Sequence, residues 1–328
     1  MTLPPFPSAS APIALSIVIP SRDTRDLTLA CLASLGEPGP EVEILVVDDG
    51  SRDGTAEAIK ASPTLRNVRV LRSEEGTGFT RAANRGLIAA RGELLLLLNS
   101  DTEVEPGGLT ALRTAFAADL KLGAAGAALF YPDGRPQWSG GIAPSDLWLF
   151  GLASGLPSLL GRLAPYRRAR PLRQTGEADW VTGAALGLRR SALEPIEAPG
   201  PLDERFLFYA QDLDLCLRLR QAGWKIAILS TFRVRHHHGA TIGRDAGASS
   251  DQKQPELLWT DLLRWAEKHR GPLGGASARR ALRAGAALRA IGRALRRPFV
   301  PAGGRAAFRA DDQAFRRAHR ALAAMPRE

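Results

Sequence analysis

The chain is poor in cysteine, poor in aromatics and, along one stretch, devoid of acid. Cys31 and Cys216 are far apart and match no metal or redox spacing, which excludes a disulfide-stapled scaffold and a zinc ribbon. A reducing, cytoplasmic setting is the expectation, with both thiols as small core residues. No segment reaches the roughly 18 to 20 apolar residues that span a bilayer. Met1 to Pro12 has neither the basic region nor the apolar run of a secretory signal, so no leader is expected there. Glycine loops for nucleotides are missing too: no Gly-x-Gly-x-x-Gly follows a strand and no P-loop signature occurs. Between Glu267 and Asp311 there is no acidic residue, while Lys268 and ten arginines fall in that interval. Without those eleven the remainder holds 33 basic and 34 acidic residues, so the net charge of +10 belongs to one carboxyl-terminal segment. That distribution, without interleaved aromatics, argues against nucleic acid as a partner.

What is present is ordinary globular composition, 45% hydrophobic and 24% charged, organised around Gly92 to Val104. Five consecutive leucines, Leu94 to Leu98, cannot form a half-exposed strand, which would alternate. They suit a strand buried on both faces of a parallel sheet. The run ends in Asn99-Ser100-Asp101, at the carboxyl end of the strand, where ligands bind in open α/β sheets. A carboxylate beside an amide and a hydroxyl is a hard-cation ligand set for a metal that also holds phosphates. The plainer alternative is a loop in which Asp101 caps the next turn.

Upstream, Ser16 to Pro20 reads as a short buried strand stopped by Pro20, and Asp26 to Leu35 as a helix. Val42 to Val47 is a second strand that runs into Asp48-Asp49-Gly50-Ser51. Val68 to Leu71 and Thr80 to Ala90 give a third strand and a helix. Strands and helices alternating with short turns predict an α/β fold, a mainly parallel sheet with helices on both faces. Two carboxylate-bearing strand ends then share one side of that sheet. Bare phosphates would be repelled there, so a nucleotide with a bridging divalent ion fits better.

Four segments in this order resemble family 2 glycosyltransferases of the GT-A fold: Ser16–Pro20, Val46–Ser51, Gly78-Phe79 with Asn84-Arg85-Gly86, and Leu98–Thr102. The likeness spans about residues 14–242 and is nearest the rhamnosyltransferase-like branch. It implies a Rossmann-like mixed sheet and an inverting sugar transfer from a nucleotide-diphosphate donor to a glycan or lipid-linked acceptor. It implies that Pro20, Asp23 and Asp49 lie near the base and ribose, with Gly78, Asn84, Asn99 and Ser100 on the donor side. Asp101 would hold Mg2+ or Mn2+ on the diphosphate. Many members carry Asp-x-Asp where this chain has Asn99-Ser100-Asp101; the rhamnosyltransferase-like branch often has an Asn there.

Ala178 to Leu186 resembles the acceptor-side strand and turn of the family, bringing in Trp180 and Gly183; a core Trp and a bulge glycine are the plainer reading. Asp212 to Ala222 has helical apolar spacing, with Asp212 and Asp214 in a first turn whose dipole favours carboxylates. Gln211-Asp212 matches the family motif whose Asp is the general base, and Asp214 is the reserve. With Gln211 in place of Glu, Asp212 is expected to be an ordinary ionised base. A final strand from Ile226 delivers His236, His237 and His238, of which His236 or His238 is expected to touch metal or donor phosphate.

Three segments are expected outside that pattern: a flexible 1–13, an insertion or flap at about 143–173, and a basic helical extension, 243–328. In the extension Leu288, Ile291 and Leu295 share one helix face and Arg289, Arg293 and Arg296 another, with Leu282 on the arginine side. Peripheral contact with an anionic membrane and a helix packed on the catalytic domain with solvated arginines are both open. Among rival activities, a nucleotidyltransferase should show a Gly-rich basic loop after the first strand, and Pro20-Ser21-Arg22-Asp23 lacks it. A non-catalytic glycan- or membrane-binding relative sits poorly with intact Asp49, Asp101 and Asp212.

Overall fold

A computed structural model describes residues 13–37, 39–156, 176–194, 200–206, 208–237 and 254–326. Strands β1 (Leu15–Ser21), β2 (Val42–Asp48), β3 (Val68–Arg72) and β4 (Leu94–Leu98) alternate with helices α1 (Arg25–Ser34), α2 (Thr55–Ala61) and α3 (Phe79–Ala89). These strands pair in parallel in the order β3-β2-β1-β4. The leucine run explains itself in side-chain alternation. Leu96 and Leu98 pack with Cys31, Leu32 and Phe116 on one face, whereas Leu95 and Leu97 pack with Ala83, Leu87 and Leu215 on the other. Each such leucine contributes about 1.5–3 kcal/mol by leaving water. Both cysteines are free and buried, and burial pushes each thiol up to about 12.

Beyond β4 come β5 (Thr102–Val104), α4 (Gly108–Ala118), β6 (Leu122–Phe130), β7 (Gly140–Gly141) and α5 (Asp146–Ser154). They are followed by β8 (Gly176–Glu177), β9 (Trp180–Val181), β10 (Ala185–Arg189), α6 (Arg190–Leu193), α7 (Gln211–Gln221) and β11 (Lys225–His236). The main sheet continues β4-β10-β6-β11-β5, with β10 antiparallel to both of its neighbours and β11 parallel to β6. The fold is therefore the expected mixed, mainly parallel α/β sheet.

One local reading needs correcting. Pro20 does not stop β1, which runs on to Ser21. The Ser21 carbonyl accepts from Asp49 N on the β2 side, so the missing Pro20 N–H faces β4. Pairing with β4 ends at Val18, and no ladder bond is lost there. Strand β6 carries almost no large side chains for most of its length, and for a steric reason. A Cβ on Gly126 would lie 2.6 Å from the Val181 side chain.

The carboxyl-terminal region is helical: α8 (Pro255–Arg296) and α9 (Arg305–Ala324). Gly271 breaks α8 with φ 65 and ψ −175, just ahead of Pro272. The first half of the expected flap is α5, whose Trp148, Leu149 and Ala153 are buried in a cluster with Trp259, Leu282 and Leu322. It is a packed helix; residues 157–175 lie outside the described residues.

Asp214 fastens this helical region to the sheet. It is fully buried and accepts from Arg218 Nε (2.8 Å), Lys268 Nζ (2.5 Å) and His269 Nε2 (2.7 Å). Burial opposes its charge, but the His269 hydrogen bond and the Arg218 and Lys268 cations hold the carboxyl below its ordinary range. Asp214→Ala leaves those groups without their counter-charge and is expected to cost about 3–5 kcal/mol, read as a urea midpoint shift. Because its folded pKa is depressed, that stabilisation is present above the unfolded value of about 3.9 and is lost as pH falls through the lower folded value. An unmoved midpoint would remove Asp214 from this role.

Candidate active site

Parallel pairing sets the carboxyl ends of β1, β2 and β4 on one rim, with Ser21 opposite Asp48. The antiparallel strand β10 begins on that same rim, because Ala185 pairs with Leu98 and Asn99 N donates to the Ala184 carbonyl at 2.9 Å. Gly183 thus sits beside the Asn99-Ser100-Asp101 turn, within about one strand spacing of roughly 5 Å. Gly183 N donates to Asp212 Oδ2 at 2.8 Å, and Leu213 N donates to Asp212 Oδ1 at 2.8 Å. Asp212, from the first turn of α7, is thereby brought to the rim that carries Asp101.

Burial pushes the Asp212 carboxyl up, and the Gly183 and Leu213 amides oppose that shift. The side chain keeps some exposure to solvent at the rim. This corrects the expectation of an ordinary ionised base: removing the Glu at 211 does not leave the group in water. A carboxylate with a raised pKa is a stronger base than a free one, and its two backbone donors fix where its lone pairs point. Asp214 lies two residues on, on the opposite side of the helix. With its carboxylate already occupied by Arg218, Lys268 and His269, it is not a reserve base.

The second pair at the rim is Asp101 and His236. Asp101 is buried, and its Oδ1 lies 3.3 Å from His236 Nε2. His237 N donates to the Asp101 carbonyl at 2.8 Å, which ties the end of β11 to the turn after β4. The tautomer of His236 is set by Gln137. Gln137 Nε2 donates to the His236 carbonyl at 2.5 Å, so its Oε1 is what meets His236 Nδ1 at 3.0 Å. A proton is thus placed on Nδ1 and a lone pair on Nε2. Nε2 is thereby the His236 atom that faces Asp101 Oδ1, 3.3 Å away. An oxygen and an imidazole nitrogen suit Mn2+ or Mg2+ whose other ligands come from phosphate and water. Among the described residues no group of three or more His, Cys, Asp or Glu could hold a metal.

Several expected donor-side residues are engaged with the chain itself. Asp49 is buried and its carboxylate accepts from Thr77 N and Oγ1, each at 2.7 Å, and from Gly78 N at 2.9 Å. Gly78 has φ 95, which a side chain would strain. Asp49 and Gly78 therefore shape the floor between β2 and α3, with the Arg22 guanidinium 4.0 Å from Asp49. Asp23, exposed and at φ 51, accepts from Arg52 N at 2.7 Å and gives its own N–H to Ser51 Oγ. Ser100 Oγ bonds Thr24 Oγ1 at 3.0 Å inside a buried hydroxyl chain with Ser21 and Thr28. Asn84 is engaged by a loop: its Nδ2 donates to the Leu202 carbonyl and its Oδ1 accepts from Leu202 N, clamping that loop to α3. Asn99 Oδ1 is a buried acceptor without a partner, the kind of atom a bound cation or hydroxyl would satisfy.

On the acceptor side, Trp180 Nε1 donates to the Ile142 carbonyl at 3.0 Å. Trp180 stands edge-on to Trp138 at 5.2 Å, and Trp138 meets Trp148 at 5.5 Å. This aromatic wall adjoins Gly183 and Asp212 through β9. His238 lies outside the described residues. Sequence reasoning missed Gln137 entirely, since a lone Gln in a polar stretch carries no signal.

A family model described as glycosyl transferase family 2 matches residues 16–196. An N-acetylglucosaminyl-diphospho-decaprenol L-rhamnosyltransferase of Mycobacterium tuberculosis is 31% identical over 253 residues, covering 68% of this chain and 79% of its own. The O-antigen biosynthesis protein RfbC of Myxococcus xanthus is 30% identical over 253 residues, which is 72% of this chain and 18% of that protein. Among solved structures, a mannosyltransferase of Pyrobaculum calidifontis in complex with GDP-Man and Mn2+ aligns with a TM-score of 0.53 at 16% identity. It covers 98% of this chain and 89% of its own, a likeness that speaks for the GT-A fold.

The two carboxylates of α7 should titrate on opposite sides of the free value of about 3.9. Carboxyl carbon NMR is expected to put the Asp212 midpoint above it and the Asp214 midpoint below. The reverse order would mean that water reaches Asp212 freely and that Asp214 is not ion-paired.

Proposed function

The chain belongs to glycosyl transferase family 2, and from that premise we propose that it is an inverting enzyme of cell-envelope polysaccharide synthesis. It moves a sugar, rhamnose first among candidates, from a nucleoside-diphosphate donor to a glycan or lipid-linked acceptor. The observation that carries this reading is Asp212: a desolvated carboxylate, oriented by Gly183 N and Leu213 N, on the rim that also holds Asp101 and His236. Inversion needs one base and no protein nucleophile, and one oriented carboxylate answers that need.

The acceptor hydroxyl gives its proton to Asp212 as its oxygen attacks the anomeric carbon. The bond from that carbon to the diphosphate breaks, and the departing nucleotide takes the electron pair. Asp101 and His236 would hold a divalent ion whose chemistry, when bound, is to offset charge on the leaving diphosphate. Gln137 keeps the His236 Nε2 lone pair aimed at that place, and Arg22 adds positive charge at the rim. The Trp138–Trp180 wall offers an apolar face to the acceptor. A lipid-borne acceptor would be met at a membrane surface, with the protein bound at its periphery.

A panel of nucleotide sugars, each with Mg2+, Mn2+ or chelator, tests this directly. Thymidine-diphosphate rhamnose is expected to be consumed fastest, with chelator stopping the reaction. Asp212→Asn should lower turnover about 10²–10⁴-fold while leaving the donor KM near that of the wild type. Silence with every donor would overturn the reading. Gln137→Leu should weaken Mn2+ binding about 10–100-fold, measured by calorimetry with thymidine diphosphate present. Unchanged affinity would detach Gln137 from the site.

A further inference from the structure

The second half of α8 is packed the wrong way round for a soluble helix. Its arginine side is turned inward. Arg289 donates to the Ala153 and Leu152 carbonyls at 2.6 and 2.8 Å and lies over the Phe315 ring. Arg293 donates to Asp312 and to the Phe308 carbonyl and lies over the Phe308 ring. Leu282 and Ala286 pack on the same side, in the cluster with Trp148 and Leu322. The side left to solvent is apolar: Leu273 is 88% exposed, Ile291 58%, Leu295 70% and Phe299, just past the helix, 83%, with Leu288 beside them. Leu273 and Leu295 are 22 positions apart in the sequence, which is about 33 Å of helix.

From position 268 onward the charges that the helix itself carries have one sign. Arg280, Arg283, Arg296 and Arg297 are exposed on the helix or at its end, and no acidic residue occurs from position 268 to 310. The next acids belong to α9: Asp312 is held by Arg293 and Arg316, and Asp311 lines the hollow beside Arg296 and Phe299. Arg280 falls between Leu273 and Leu288 on this face; a water-facing helix face that mixes large apolar side chains with arginines is the composition that settles into the boundary between headgroups and acyl chains. A second copy of the chain is a poor occupant. A symmetric contact would set two such arginine fringes against each other.

We propose that the Leu273–Phe299 face of α8 is a docking surface for a bilayer containing anionic lipid. It deepens the proposed reaction by naming the surface at which a lipid-borne acceptor is met, and it rests on that reading for its purpose alone. The strip is carried by the same helix that packs on α5, and α5 carries Trp148 of the aromatic wall beside Gly183. Docking would therefore hold the acceptor side close to the lipid.

The full chain is floated with vesicles of phosphatidylcholine mixed with phosphatidylglycerol, and with vesicles of phosphatidylcholine alone. It is expected to float with the mixed vesicles and to be released when salt shortens the Debye length from about 10 to about 3 Å. The triple variant Leu288→Glu, Ile291→Glu, Leu295→Glu alters exposed side chains only, so its circular dichroism should match the wild type while its partition falls at least about tenfold. Arg280→Glu with Arg283→Glu should lower partition into the mixed vesicles by about fivefold or more per arginine. Equal flotation of wild type and triple variant overturns the proposal. So does failure of the wild type to float, or a wild-type dimer that the triple variant turns into a monomer without lipid binding. Donor hydrolysis assayed in detergent-free buffer separates the two claims. Flotation without hydrolysis would leave the surface standing and remove the proposed reaction; hydrolysis without flotation would do the opposite.

Discussion

The antiparallel seating of β10 beside β4 is the constraint on which the site depends. Were β10 absent, the turn after the leucine strand would face only β1, and nothing would connect it to α7. With Ala185 in register with Leu98, Gly183 lands next to Asn99 and offers its N–H outward. That single donor captures Asp212, a residue over 100 positions beyond Asp101 in the chain, and fixes it on the rim. The leucines bury both faces of β4; a slip by one residue would only exchange leucine for leucine, so the register is held at the turn, where Asn99 N donates to the Ala184 carbonyl.

Collecting carboxylates at one rim raises an electrostatic problem, and the chain solves it one group at a time. Asp48 accepts from Ser51 N and lies 3.8 Å from Arg72. Asp49 is held by Thr77 and Gly78, and Asp212 by Gly183 and Leu213. Asp101 has His236 at its side. Backbone amides do most of this, which leaves the rim compact without filling it with cations. Asp212 differs from the buried Asp48 and Asp49 in being half-buried as a residue, and its raised pKa follows from desolvation that two amides only partly offset.

The sheet was legible because its core strands are continuous apolar runs ending in polar turns, a pattern that local sequence carries. The rim was legible for the same reason: Asp49 and Asp101 follow strands directly. What those carboxylates do was not, since Asp49 spends its acceptors on Thr77 and Gly78, contacts set by the position of α3. Asn84 and Asp214 matched a motif or a helix start and turned out to be a loop clamp and a buried ion-pair centre. Gln137 gave no signal at all, and strand β6 was hidden because glycine and alanine fill it where Val181 and Trp224 press close. In each case the missing information is tertiary: the neighbour, not the residue, decides the role.

The orientation of α8 shows how far such neighbours reach. Periodicity separates a leucine face from an arginine face but cannot say which one meets the protein. The structure turns the arginines inward because α5 offers the carbonyls of its last turn and α9 offers the Phe308 carbonyl, two phenylalanine rings and Asp312 as partners. The amino-terminal half of the same helix also holds the end of α7 that carries Asp212. Asp261, buried, accepts from Phe208 N and Tyr209 N, and Lys268 and His269 hold Asp214. Between those anchors lies Ala210 at φ 63, a left-handed residue that costs of order 1 kcal/mol and persists only where its surroundings over-determine it. The carboxyl-terminal helix is thus joined on one side to the helix that carries the proposed base and opens on the other to the surface proposed for the acceptor.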